Sequence, residues 1–97
     1  MKTKEDYKRE VKILKALANE ARLMIVDSLK EREITVGELT ELLKLDQSTV
    51  SKHLSVLYNA GIVDYRKNGN LVYYRLLIPC VLDAFKCACQ VVKEVRR

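Results

Sequence analysis

The spacing of apolar side chains changes at Gly61. Before it, in "DQSTVSKHLSVLYNAG", Val50, Leu54, Leu57 and Tyr58 recur at intervals of three and four, the repeat of a helix with one buried face. After it, "IVDYRKNGNLVYYRL" is rich in β-branched and aromatic residues and is broken by Asn68-Gly69, a pair that tolerates the positive φ angles of a tight turn. A helix stopped by a C-terminal glycine and followed at once by a two-stranded hairpin leaves few folds open.

The residues upstream narrow them further. Val11, Leu14, Leu17 and Ala18 keep helical spacing from about Tyr7 to Ala18, and Asn19 can cap a second helix that carries Leu23, Ile25, Val26 and Leu29. Thr35 stands three residues before Glu38, the arrangement of a capping box, and opens a third helix with Leu39, Leu42 and Leu43 on its inner face. Asp46 caps the fourth helix after a short break. Pro79 suits the first turn of a last helix that runs to "KEVRR". The expected fold is mainly α with a β-hairpin wing (α+β), in the order ααααββα, a winged helix-turn-helix. With one proline, three glycines and neither linker nor repeat, residues 1–97 are expected to form a single domain.

Eighteen Lys and Arg against thirteen Asp and Glu give a formal charge of +5, which favours a polyanionic partner or an acidic membrane surface. "MKTKEDYKRE" has no apolar segment behind its lysines, and no apolar run approaches the roughly 18 to 20 residues that span a bilayer, so a cytoplasmic protein without a membrane partner is expected. Cys80, Cys87 and Cys89 are an odd number without an export signal and are expected as reduced thiols.

On the fourth helix Gln47, Ser48, Ser51, Lys52 and Ser55 fall toward solvent, with Thr49 at the edge. Short hydroxyls and an amide at the start of the second helix of a helix-turn-helix suit base edges in the major groove, and Lys52 suits a phosphate. A solvated cap is the alternative. His53 is ambiguous between a DNA contact and packing at the helix edge. Arg66, Lys67, Asn68 and Asn70 make a basic, polar wing that suits a phosphate backbone or the minor groove, although Asn68 and Gly69 also serve turn geometry alone. The candidate DNA-binding set is therefore Gln47, Ser48, Thr49, Ser51, Lys52, His53, Arg66, Lys67 and Asn70. No enzyme is expected: there is no glycine-rich phosphate loop, nucleophile–base pair or complete metal motif.

"LKALANEARLMIVDSL", "TVGELTELLKLDQSTVSKHLSVLYNAGIV" and "GNLVYYRL" resemble the ArsR/SmtB family of winged-helix repressors over roughly residues 13 to 76. The resemblance implies a homodimer built on the first and last helices that binds an inverted repeat in double-stranded operator DNA. It also implies release when an inducer binds or a thiol is modified, and points to Gln47, Ser48, Ser51 and Lys52 as DNA-facing. The thiolate motif "ELCVCDL" of many members is replaced here by "EITVGEL", with Thr35 and Gly37 in place of its cysteines. An Asp/His zinc site on the last helix is equally unexpected, since His53 is the only histidine.

A sensor, if any, is expected in "IPCVLDAFKCACQVVKEVRR". Val81, Phe85, Ala88, Val92 and Val95 form one helical seam, the expected dimer face, with Leu82 and Cys89 on its flank. Cys80 and Cys87 are about 10 Å apart along an intact helix, beyond the roughly 7 Å Cα limit of a disulfide. Cys87 and Cys89 diverge by about 200°. A three-thiolate site for arsenite or another thiophilic metal ion therefore needs a frayed helix or ligands from a second subunit. The competing readings are apolar packing of free cysteines, a redox- or persulfide-responsive repressor, and a winged-helix protein-interaction module with no small-molecule signal.

Overall fold

The structure, a computed structural model, describes residues 1–95. Its first two elements are helices α1 (Lys4–Leu17) and α2 (Glu20–Ser28), separated by two residues. Thr3 and Asp6 form a capping box that starts α1 ahead of the apolar pattern. At the corner, the Asn19 side chain accepts from the Arg22 amide at 3.0 Å, as its cap position requires.

A two-residue strand β1 (Ile34–Thr35) follows, then α3 (Val36–Leu43), α4 (Gln47–Asn59), β2 (Val63–Asn68), β3 (Leu71–Leu76) and α5 (Cys80–Val95). The sheet order is β1-β3-β2, antiparallel throughout, with Ile34 opposite Tyr74 and Thr35 opposite Tyr73. The expected hairpin is thus a three-stranded sheet. Thr35 closes the edge of β3 and also caps α3, where its hydroxyl accepts from the Glu38 amide at 3.2 Å and the Glu38 carboxylate returns to the Thr35 amide.

The end of α4 bears out the glycine. Gly61 has φ +79; its N–H donates to the Tyr58 carbonyl and that of Ile62 to the Leu57 carbonyl, the two bonds of a Schellman cap. Leu57 and Ile62, which flank the cap, are both fully buried. The wing turn lies one residue later than expected. Asn68 pairs with Leu71, so the two loop residues are Gly69 and Asn70, with the positive φ of 64° on Gly69 alone. Glycine first in a two-residue loop is the pattern of a type II′ turn, whose twist matches that of the strands.

The core joins Ala16 and Leu17 of α1, Ile25, Val26 and Leu29, Ile34, Leu39, then Val50, Leu54 and Leu57 of α4 with Ile62 and Val63. Leu42 of α3 and Tyr58 of α4, expected on buried faces, are exposed, as are Val11 and Leu14 of α1, Ala18 just past its end and Leu23 of α2. Tyr58 stacks outside the core against Tyr65, which stacks on Tyr74. Helix α5 buries no residue fully; Val81, Leu82 and Phe85 of its first two turns rest on the core, and the rest projects.

Candidate nucleic-acid interface

Helices α3 and α4 meet through Lys44, Leu45 and Asp46. Lys44 adopts the left-handed conformation (φ 56°, ψ 40°) that ends α3 and turns the chain into α4. With Val50, Leu54 and Leu57 all at 0% exposure, the helix has no rotational freedom, and Gln47, Ser48, Ser51, Lys52 and Ser55 are exposed as the spacing predicts. Thr49 is half-buried at the edge.

The start of α4 departs from expectation. Asp46 makes no side-chain cap bond to a helix amide. Its carboxylate accepts instead from two hydroxyls, Ser48 Oγ at 2.6 Å and Thr49 Oγ1. The Ser48 and then the Thr49 hydroxyl bond hold the carboxyl below the usual aspartate range.

His53 is half-buried, with Nδ1 3.3 Å from Nη1 of Arg22. Arg22 also donates from Nε to the Ala16 carbonyl and from Nη2 to the Lys15 carbonyl. The histidine therefore sits behind the exposed face and ties α4 to the α1–α2 corner, the packing alternative of its two expected roles. The corner is marked in the sequence by the Asn19 cap, but the reach of Arg22 to His53 is not.

On the wing, Lys67 and Asn70 are exposed near the tip, whereas Arg66 is directed to the body. Its guanidinium bonds Oε2 of Glu33 through Nε (3.0 Å) and Nη2 (2.9 Å) and lies over the ring of Tyr73, 4.5 Å from the centroid. The Arg66 bond draws the Glu33 carboxyl below the usual glutamate range and raises the guanidinium in turn. Asp64 and Arg75 form a cross-strand ion pair at 3.2 Å. The outward face thus places Lys52 and Lys67 beside short polar groups, with the charge of Arg66 already matched.

Cys80, Cys87 and Cys89 are all exposed on α5. Among the described residues no three His, Cys, Asp or Glu side chains converge as a metal-binding group. Arsenite or another thiophilic ion would have to draw ligands from a second subunit or a rearranged helix. No helix of the described residues is long and apolar enough to cross a membrane.

Residues 19–65, from the Asn19 cap to the first half of the wing, match the model described as "Bacterial regulatory protein, arsR family". The solved structure of HlyU from Vibrio cholerae superposes with a TM-score of 0.78 at 36% identity, covering 88% of this chain and 99% of that one. The chain belongs to the ArsR family. In sequence, the transcriptional activator HlyU of V. cholerae is 46% identical over 70% of this chain and 63% of its own length. The biofilm growth-associated repressor of Agrobacterium fabrum is 47% identical over 66% of this chain and 55% of its own. The aligned part of this ArsR-family chain therefore spans less than two thirds of each of these relatives. A possible ArsR-family regulator from Mycobacterium bovis, solved as a homodimeric winged helix-turn-helix DNA-binding domain, matches with a TM-score of 0.79 at 28% identity, over 96% of this chain and 89% of that one.

Proposed function

We propose that this protein is a cytoplasmic transcriptional repressor that binds a palindromic operator as a homodimer, with α4 in the major groove and the wing on the flanking backbone. The observation that carries the reading is the α4 face: Gln47, Ser48, Ser51 and Lys52 stand together in solvent on the first two turns, on a helix whose other face is locked into the core. The homodimeric M. bovis relative and the exposed apolar faces of α1 and α5 support pairing through those two helices. The compared relatives include an activator and a repressor by name, so the sign of regulation is part of the proposal.

The test is titration of labelled duplexes from upstream of the gene against scrambled controls over a range of salt. Ser48→Ala and Ser51→Ala weaken operator binding by about 1–3 kcal/mol each, and Lys52→Ala lowers the slope of log affinity against log salt by about one. Equal affinity of the wild type for operator and scrambled duplex removes the reading.

Three exposed thiols on the proposed dimer helix favour a second element: release from the operator by a thiol-reactive agent. Arsenite, cadmium, copper(I) and a persulfide donor are titrated on the reduced complex, comparing wild type with Cys80→Ser, Cys87→Ser and Cys89→Ser. Release of the wild type that a serine variant resists identifies the sensing thiol and the class of signal; a wild-type complex indifferent to all four removes thiol sensing.

A further inference from the structure

We infer that Asp46 decides which base edges the start of α4 accepts, by holding the hydroxyl protons of Ser48 and Thr49 so that only their lone pairs face outward. The inference rests on the DNA-binding reading above and deepens it. A carboxylate only accepts hydrogen bonds, and Asp46 is in contact with both hydroxyls, so each spends its single proton on the carboxylate. What remains on each oxygen is acceptor capacity.

In the major groove this is a discriminating property. Cytosine N4 and adenine N6 donate, whereas guanine O6 and N7 and thymine O4 only accept. A serine free to rotate its proton serves either class. A serine whose proton is held by Asp46 favours the amino edges and sets lone pair against lone pair at guanine or at thymine O4. Ser48 is exposed and is the reader; Thr49, half-buried, is the second arm that fixes the carboxylate. The ordinary alternative, an aspartate whose carboxylate is spent on backbone amides alone, would leave the Ser48 proton free, whereas here the Ser48 hydroxyl lies 2.6 Å from the carboxylate. Asp46 thereby acts as a positioning residue.

The experiment begins with wild-type protein selecting from a randomised duplex pool, followed by titration of every single base-pair substitution in the selected half-site. Wild type prefers a cytosine or adenine edge over guanine or thymine by about tenfold or more at one position at least. Asp46→Asn, whose amide can keep only one of the two hydroxyl protons, and Asp46→Ala reduce that preference to about threefold or less while the other positions keep theirs. Ser48→Ala abolishes the same preference, and adding Asp46→Asn to it changes nothing more at that position. Urea unfolding of each variant separates these effects from loss of fold. A uniform change of affinity across all duplexes in both Asp46 variants overturns the inference and leaves Asp46 a general charge effect. A wild type that enriches no sequence from the pool instead overturns the DNA-binding reading, and this inference with it.

Discussion

The helix-turn-helix body and the two outer helices divide their apolar residues in opposite ways. In α4 Val50, Leu54 and Leu57 are fully buried, and α3 begins on a reciprocal cap. Helix α1 leaves Tyr7, Val11 and Leu14 on one exposed stripe, and α5 leaves Val91, Val92 and Val95 at 52%, 58% and 72% exposure. The body is complete within one chain. Each outer helix gives part of its apolar surface to the core, Ala16 and Leu17 from α1 and Val81, Leu82 and Phe85 from α5, and carries a second apolar stripe that the core does not cover, which the proposed pairing between subunits would bury.

The contrast can be broken from either side. Leu54→Ala is expected to cost the body about 2–5 kcal/mol in urea unfolding, because it opens a cavity at a fully buried site. Val95→Ala, at the far end of α5, should change the stability of the isolated chain by about 0.5 kcal/mol or less. If the two cost the same, α5 is not an unpartnered surface.

Val92→Glu is expected to leave helix content unchanged by circular dichroism while shifting sedimentation to the monomer, raising the dimer dissociation constant by about tenfold to a hundredfold. An unshifted dimer would move the interface away from α5.

Within the body, Thr35→Ala should cost about 1 kcal/mol, since it removes one half of the capping box. The other half titrates. The Thr35 amide, and after it Arg32, hold the Glu38 carboxyl below its ordinary value of 4.5. A lowered carboxyl stabilises the fold above its unfolded pKa and loses that contribution as pH falls through the folded value. Glu38→Gln should therefore flatten the stability profile below about pH 4.5 and leave its shape near neutrality unaltered, which thermal melts across pH will record.

One substitution is expected to produce a gain. Lys44 is the only non-glycine residue at positive φ among those described, and Lys44→Gly should stabilise by about 1 kcal/mol in urea unfolding by relieving the left-handed backbone.

The parts legible in the sequence are those where local chemistry and burial demand the same thing. Thr35 with Glu38, Asn19, Gly61 and the period of α4 each specify a backbone shape that short-range bonds already favour, and all stand where the spacing puts them. Strand β1 leaves no mark in the sequence because two residues carry no periodicity; Ile34 and Thr35 are a strand only because Tyr73 and Tyr74 lie beside them. The wing turn moved by one residue because Asn68-Gly69 and Gly69-Asn70 are both acceptable turn pairs, and the register of the long strand pair chooses between them. Tyr58 has the right spacing for the core, yet Tyr65 and Tyr74 offer it a stack on the outside.

At the candidate site the same division holds residue by residue. The exposed set on α4 follows from helical geometry once Val50, Leu54 and Leu57 are taken as the inner face. The partners of its polar groups do not. Asp46 is a plausible backbone cap by type, and only the placed side chains turn it onto the Ser48 and Thr49 hydroxyls. Arg66 looks from the sequence like a free cation on a basic loop, but Glu33, thirty-three residues away, takes its charge.

By itself, then, the sequence determined the helix starts and stops, the buried stripe of α4 and the basic balance of the chain, because these depend on neighbours within a turn or two and on total charge. Tertiary structure decided which polar groups remain available at the surface: it matched Arg66, set His53 against Arg22 and gave the Ser48 and Thr49 protons to Asp46. A charged or hydroxyl side chain has many permissible partners, and distance in space, which spacing along the chain does not encode, selects among them.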